Sequence, residues 1–104
     1  MAQFDVYLNP NPATAKSIPY LLDVQADLLD NLTTRVVVPL FSAATFGKTA
    51  QHLNPQFTIK RTTVIMSTAE LAGVSRQVLG EKVGSLKAER DAIIAALVFL
   101  VTGF

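Results

Sequence analysis

Polar and apolar residues alternate over Gln3–Leu8 (Gln-Phe-Asp-Val-Tyr-Leu), the period of a strand with one covered face. A second strand is expected over Tyr20–Gln25. A third spans Arg35–Phe41, where Arg-Val-Val-Val-Pro-Leu-Phe is dense in β-branched residues. Pro39 has no N–H to give a ladder, which predicts an edge position or a bulge. Asn9–Pro19 contains three prolines and reads as a loop or loose hairpin tip. Gln56–Lys60 and Thr62–Ser67 read as paired strands with Lys60-Arg61 near their turn, whereas Phe41–Leu53 fits neither period. Gly73 breaks the chain, and Val74–Leu79 is expected to add one more strand before Gly80. Short strands at this spacing predict a small antiparallel barrel or meander.

The period changes towards the carboxy terminus. Ser85 is a candidate helix N-cap, with Glu89 and Asp91 in the early turns where negative charge suits the helix dipole. Ile93, Leu97, Leu100 and Phe104 trace one helical stripe; Ile94, Val98 and Val101 trace an adjacent one. Apolar residues on more than one face require cover on more than one face. The strands can cover one; the other needs a second subunit or a partner, unless the helix packs wholly into its own core. The thirteen residues Ala92–Phe104 carry no charge, yet the longest apolar run, Ala92–Val101, has ten residues. A membrane span needs about 20, so no transmembrane helix is expected.

Composition sharpens the need for a partner. A chain of 104 residues is expected to form a single domain, residues 1–104, with one modest core. Half of its residues are hydrophobic and 16% are charged, against about 25% in a typical soluble domain. Mean hydropathy is +0.37. The surplus of apolar side chains points to an oligomer interface or a partner surface. There is no cysteine, which excludes a disulfide framework and thiolate metal sites and suits a cytoplasmic location. Met1–Asp5 likewise lacks the basic and apolar regions of a signal peptide.

The net charge of +1 speaks against bulk electrostatic binding of nucleic acid. Residues 1–34 hold four acids and one base, and residues 35–104 hold eight bases and four acids, a split suited to complementary protein partners.

Catalytic chemistry has little to stand on. His52 has no second histidine at ligand spacing. Asp23, Asp27 and Asp30 lack the glycine and terminal glutamate of a calcium loop and read as turn-forming and capping residues. The five glycines are dispersed, and no nucleophile elbow is present. No cofactor is expected.

Several stretches nevertheless resemble one family. Asp23-Val24-Gln25-Ala26-Asp27-Leu28-Leu29-Asp30 and Thr34-Arg35-Val36-Val37-Val38-Pro39-Leu40 are similar to segments of the CcdB toxins, as are Gln3-Phe4-Asp5-Val6-Tyr7 and Leu79-Gly80-Glu81 with Val83 and Leu86. Arg90, Ile93, Ala96-Leu97 and Gly103 follow the same pattern. The resemblance implies a mainly β (α+β) fold: an SH3-like antiparallel barrel with a small additional sheet and a long carboxy-terminal helix. It implies a homodimer with those helices near the two-fold axis. It also implies a non-enzymatic toxin of a type II toxin–antitoxin system, which binds the A subunit of DNA gyrase and traps the cleaved-DNA complex. A CcdA-like antitoxin would neutralise it, and operator DNA would be bound only by toxin and antitoxin together. The implied gyrase contact falls on Thr102, Gly103 and Phe104, backed by Val98 and Val101, with Ala26 and Leu28 as neighbours. Well-known members carry tryptophan where this chain has Thr102. Two alternatives remain open: an endoribonuclease toxin of the MazF or Kid type, with His52, Arg35 and the aspartates as its available groups, and a degenerate relative that binds only antitoxin.

Overall fold

The computed structural model describes residues 1–104. Strand β1 begins at Asp5 rather than Gln3, because Phe4 adopts a left-handed φ of 72° and interrupts the extended backbone. The strands are β1 (Asp5–Leu8), β2 (Tyr20–Asp23), β3 (Thr34–Ser42), β4 (Gln56–Ile59), β5 (Thr62–Met66), β6 (Ala72–Ser75) and β7 (Lys82–Ser85), and the single α-helix is α1 (Arg90–Thr102). They form one antiparallel sheet in the order β4-β5-β3-β2-β1-β7, with β6 branching from β3. The sheet curls into a half-barrel, and α1 packs into it.

The nine-residue β3 organises this sheet. One side pairs with β2 from Tyr20↔Leu40 to Asp23↔Val37. The other side pairs with β6 through Thr34–Val37 and with β5 through Leu40–Ser42. Pro39 therefore lies in a central strand, which corrects the expectation of an edge or bulge. Its carbonyl accepts the Ser67 N–H at 3.1 Å on the β5 side. The absent N–H faces that same side, where β3 changes partners, so no ladder bond is lost.

Local chemistry ends the other elements. β2 stops at Asp23, whose Oδ1 accepts the Gln25 N–H at 3.0 Å. Lys60 and Arg61 have φ values of 47° and 69°, the paired positive angles of a two-residue type I′ hairpin between β4 and β5. The strand expected over Val74–Leu79 is only partly realised: β6 ends at Ser75, whose hydroxyl accepts the Gln77 N–H at 3.3 Å and opens a 3-10 turn over Arg76–Val78. The expected cap Ser85 instead precedes a 3-10 turn over Lys87–Glu89, where its hydroxyl accepts the Lys87 N–H at 3.1 Å, and α1 starts later, at Arg90. β7 has no clear period in the sequence and pairs with β1 across a register shift between Val6 and Tyr7. A Cβ at Gly80 would lie 2.6 Å from the Leu8 carbonyl oxygen, a position that only glycine fills without displacing backbone.

Val6, Leu22, Val38, Leu40, Val64 and Met66 line the inner face of the sheet and meet Ile93 and Ala96 of α1. No helix is long and apolar enough to cross a membrane.

Candidate partner-binding surface

α1 is apolar around its circumference, but only Ile93 and Ala96 are fully buried. Ile94 and Leu97 pack partly against the core. On the outer side Val98 is 46% exposed, Val101 83% and Phe104 95%. Phe104 does not continue the stripe of Ile93, Leu97 and Leu100 as the spacing predicts. Gly103 adopts a left-handed φ of 78°, and its N–H bonds the Phe99 carbonyl at 2.8 Å, turning the chain off the helical path. Thr102 Oγ1 donates to the Val98 carbonyl at 2.8 Å and accepts the Phe104 N–H at 3.3 Å. The threonine is thus folded back against its own helix, and Val98, Val101 and Phe104 present the apolar surface.

Ala26 and Leu28 form a second exposed feature. Ala26 precedes, and Leu28 belongs to, a 3-10 turn over Asp27–Leu29 that has no buried side chain; Leu28 is 96% exposed, and Leu29 and Leu32 are about half exposed. No hydrogen bond or ion pair joins this turn to the tip of α1; the helix packs on the 3-10 turn Thr68–Glu70. Polar bonds fix the Leu28 turn instead. Asp27 Oδ1 accepts the Gln3 N–H at 2.8 Å, and Gln25 Nε2 donates to the Leu29 carbonyl at 2.8 Å. Asp30 Oδ1 receives Arg35 Nη1 and Arg76 Nη2, each at 2.9 Å.

Beneath that turn lies a polar network that alternation conceals. Asp5 and Tyr7 on β1, Asp23 on β2 and Arg35 on β3 alternate with core residues and therefore occupy the opposite face of the sheet. That face is not open to solvent: Asp5 is 4% exposed, and Asp23 and Arg35 are 0%. Arg35 donates to Asp23 Oδ2 through Nε at 2.9 Å and Nη2 at 2.6 Å. Lys82 Nζ lies 3.3 Å from Asp5 Oδ1, and the Tyr7 hydroxyl donates to Asp5 Oδ2 at 3.4 Å. Burial pushes the Asp23 carboxyl up, while Arg35 and the Gln25 N–H partly offset the rise. Burial and then the neighbouring Asp5 and Asp23 push the Tyr7 phenol up to about 12. Of the expected turn-forming aspartates, Asp23 makes the local bond, to the Gln25 N–H, whereas the Asp27 side chain accepts from Gln3, 24 residues away; the grip of Asp23 and Asp30 on Arg35 was not legible from their spacing.

His52 lies apart from this network. It has a φ of 70°, and its ring centroid is 5.9 Å from that of Phe99 on α1. It borders a cavity of about 340 Å³ lined by neutral residues, including Gln51, Asn54, Ala92 and Ala95.

Comparison with known proteins places this geometry. A family model described as CcdB protein matches residues 3–103. Among solved structures, an endoribonuclease in complex with its cognate antitoxin from a mycobacterial species superposes with a TM-score of 0.76 at 17% identity, over 97% of this chain and 94% of that one. A mycobacterial endoribonuclease superposes with a TM-score of 0.72 at 17% identity, over 97% and 90% of the respective chains. At this identity the two structures share the fold.

Proposed function

This chain belongs to the CcdB family of toxin–antitoxin toxins, and from that premise we propose that it binds the A subunit of DNA gyrase and traps the gyrase–DNA cleavage complex. The observation that carries the reading is the tip of α1: an uncharged segment whose Val101 and Phe104 are 83% and 95% exposed on a backbone fixed by Thr102 and Gly103. A protein that poisons an enzyme without chemistry of its own must bind one conformational state more tightly than the others. A large apolar side chain on a hydrogen-bonded backbone suits that task, because anchoring residues dominate interface energies and prior ordering lowers the entropy cost of binding. Thr102, Gly103 and Phe104 make the primary contact in this reading, with Val98 and Val101 beside them and Ala26 and Leu28 on a flanking contact. A CcdA-like antitoxin neutralises the toxin, and the two together bind operator DNA. The homodimer covers part of the apolar surface of α1.

The test is a gyrase-dependent DNA cleavage assay comparing the full chain with a variant lacking Gly103 and Phe104. The full chain is expected to accumulate cleaved DNA and the shortened one to lose the effect. Equal cleavage by both variants, or none by either, refutes the assignment.

A second reading, an endoribonuclease toxin, draws on the two mycobacterial structures that share the fold. Its groups are poorly placed for attack on a phosphate. Arg35 is enclosed between Asp23 and Asp30, while the exposed His52 borders a cavity lined otherwise by neutral residues. Degradation of cellular RNA on induction, without gyrase-dependent cleavage, favours this reading over the first.

A further inference from the structure

The turn carrying Leu28 presents an unusual balance of forces. None of its side chains is buried and Leu29 is half exposed, so apolar packing holds Asp27–Leu29 only weakly. Its acidic groups nevertheless point back into the protein, leaving Leu28 outermost at 96% exposed. The bond from Arg35 is part of the buried network and also serves the sheet. Arg76 is different. It lies on the 3-10 turn after β6, 46 residues away in sequence, and its Nη2 donates both to the Asp30 carbonyl at 2.5 Å and to Asp30 Oδ1 at 2.9 Å. Its Nε is enclosed and makes no hydrogen bond, so the side chain's attachment runs through one terminal nitrogen, beside the backbone bond from the Arg76 N–H to the Thr33 carbonyl at 3.2 Å. The Arg76 side chain is 38% exposed and anchors no other element by its guanidinium.

We infer that Arg76 is a positioning residue: it latches the Asp27–Asp30 turn so that Leu28 is held ready for the protein partner. The inference rests on the proposed reading in which Ala26 and Leu28 flank the gyrase contact. Without Arg76 the turn keeps its bonds to Gln3, Gln25 and Arg35 but has no buried side chain, so its Asp30 end samples more conformations. Apparent affinity then falls by the fraction of molecules that retain the competent form. Arg76 thereby controls binding without touching the partner, and a single-nitrogen latch is one that lysine can replace.

The experiment uses the full chain as wild type, Arg76→Ala, Arg76→Lys, Leu28→Ala and the Leu28→Ala/Arg76→Ala double variant. Amide hydrogen exchange in the free proteins and affinity for the gyrase A subunit are both measured. In Arg76→Ala, exchange over residues 27–32 is expected to rise about tenfold while β3 is unchanged. The thermal midpoint should fall by only about 3 °C, as for the loss of a partly exposed ion pair. Gyrase A affinity is expected to fall about tenfold, to recover in Arg76→Lys, and to show no further loss when Arg76→Ala is added to Leu28→Ala. Unchanged exchange over 27–32 overturns the latch. Wild-type affinity in Arg76→Ala, or the same loss on the Leu28→Ala background, overturns its role in binding. Should the wild-type chain fail to bind gyrase A, the proposed function falls, and the exchange measurement alone still decides whether Arg76 holds the turn.

Discussion

Replacing Arg35 with methionine tests the energetic reading of the buried network. The substitution keeps an unbranched apolar stem and removes the guanidinium, leaving Asp23 with the Gln25 N–H but no counter-charge. Asp23 and Arg35 are both 0% exposed, so the stranded carboxylate cannot recover its hydration. Breaking such a pair costs about 3–5 kcal/mol. That is a large share of the total, since stability for a domain of this size is about 5–15 kcal/mol. With a urea m-value of about 1.5 kcal/mol per M, a loss of about 4 kcal/mol lowers the unfolding midpoint by about 2.7 M. Removing both charges, in Arg35→Met/Asp23→Leu, is expected to restore more than half of the loss, because a buried ion pair adds little beyond an apolar pair of similar volume.

The pH dependence supplies a second check on the same variant. Burial already places the folded-state pKa of Asp23 above its ordinary value of 3.8. Arg35→Met removes the influence that offsets the rise, so the folded-state value climbs further. A carboxyl raised in the folded state favours folding below its unfolded pKa, and that contribution fades as pH rises through the folded value. The deficit of Arg35→Met relative to wild type should therefore shrink in mildly acidic urea titrations and widen at neutral pH. A deficit below about 1 kcal/mol with no pH dependence would refute the argument. So would a double variant whose loss equals the sum of the single ones.

Three further outcomes follow from other parts of the molecule. Burial pushes the Tyr7 phenol up to about 12 from an ordinary 10.0, so its contribution to stability is present below pH 10.0 and lost as pH rises towards 12; ultraviolet titration should show a late-ionising phenol that Tyr7→Phe removes, and loss of an ordinary phenol step near 10.0 on that substitution contradicts this. Lys60→Asn/Arg61→Gly should raise stability by about 1 kcal/mol in urea titration, since Lys60 and Arg61 hold the positive φ angles that this pair prefers, and an unchanged midpoint argues against strain at the turn. Under the proposed function, Thr102→Trp should tighten gyrase A binding about fivefold by calorimetry, an aromatic gain of about 2 kcal/mol set against about 1 kcal/mol for the lost Thr102 bonds; weaker binding counts against an apolar contact at the tip.

The legibility of the sequence differed between the two faces of the sheet. Val6, Leu22, Val38 and Leu40 fall on the period-two core face, and the β4–β5 hairpin follows from two strand patterns meeting at Lys60-Arg61. The same period marks Asp5, Asp23 and Arg35 as solvent-facing, because alternation reports which side a residue takes and not what covers that side. The available sign was an arginine opening a run of valines, with three aspartates just upstream. β7 escaped because Lys82–Ser85 is short and contains Gly84. Pro39 misled for a different reason: a proline excludes a donor on one side of a strand only, and β3 changes partners on that side.

The tip of α1 and the Leu28 turn solve one physical problem by the same means. An apolar side chain that is almost fully exposed gains no ordering from the core, so its backbone must be fixed by polar bonds or remain mobile. At the tip, Thr102 and the left-handed Gly103 do this for Phe104. At the turn, Asp27, Gln25, Arg35 and Arg76 do it for Leu28. Under the proposed function, the apolar surface that distinguishes the sequence is thus only half of what a partner would recognise. On that reading the affinity of either feature depends on polar residues that lie behind it, and substitutions that only delete their bonds, such as Thr102→Ala or Gln25→Ala, should weaken a partner complex while leaving every apolar contact side chain in place.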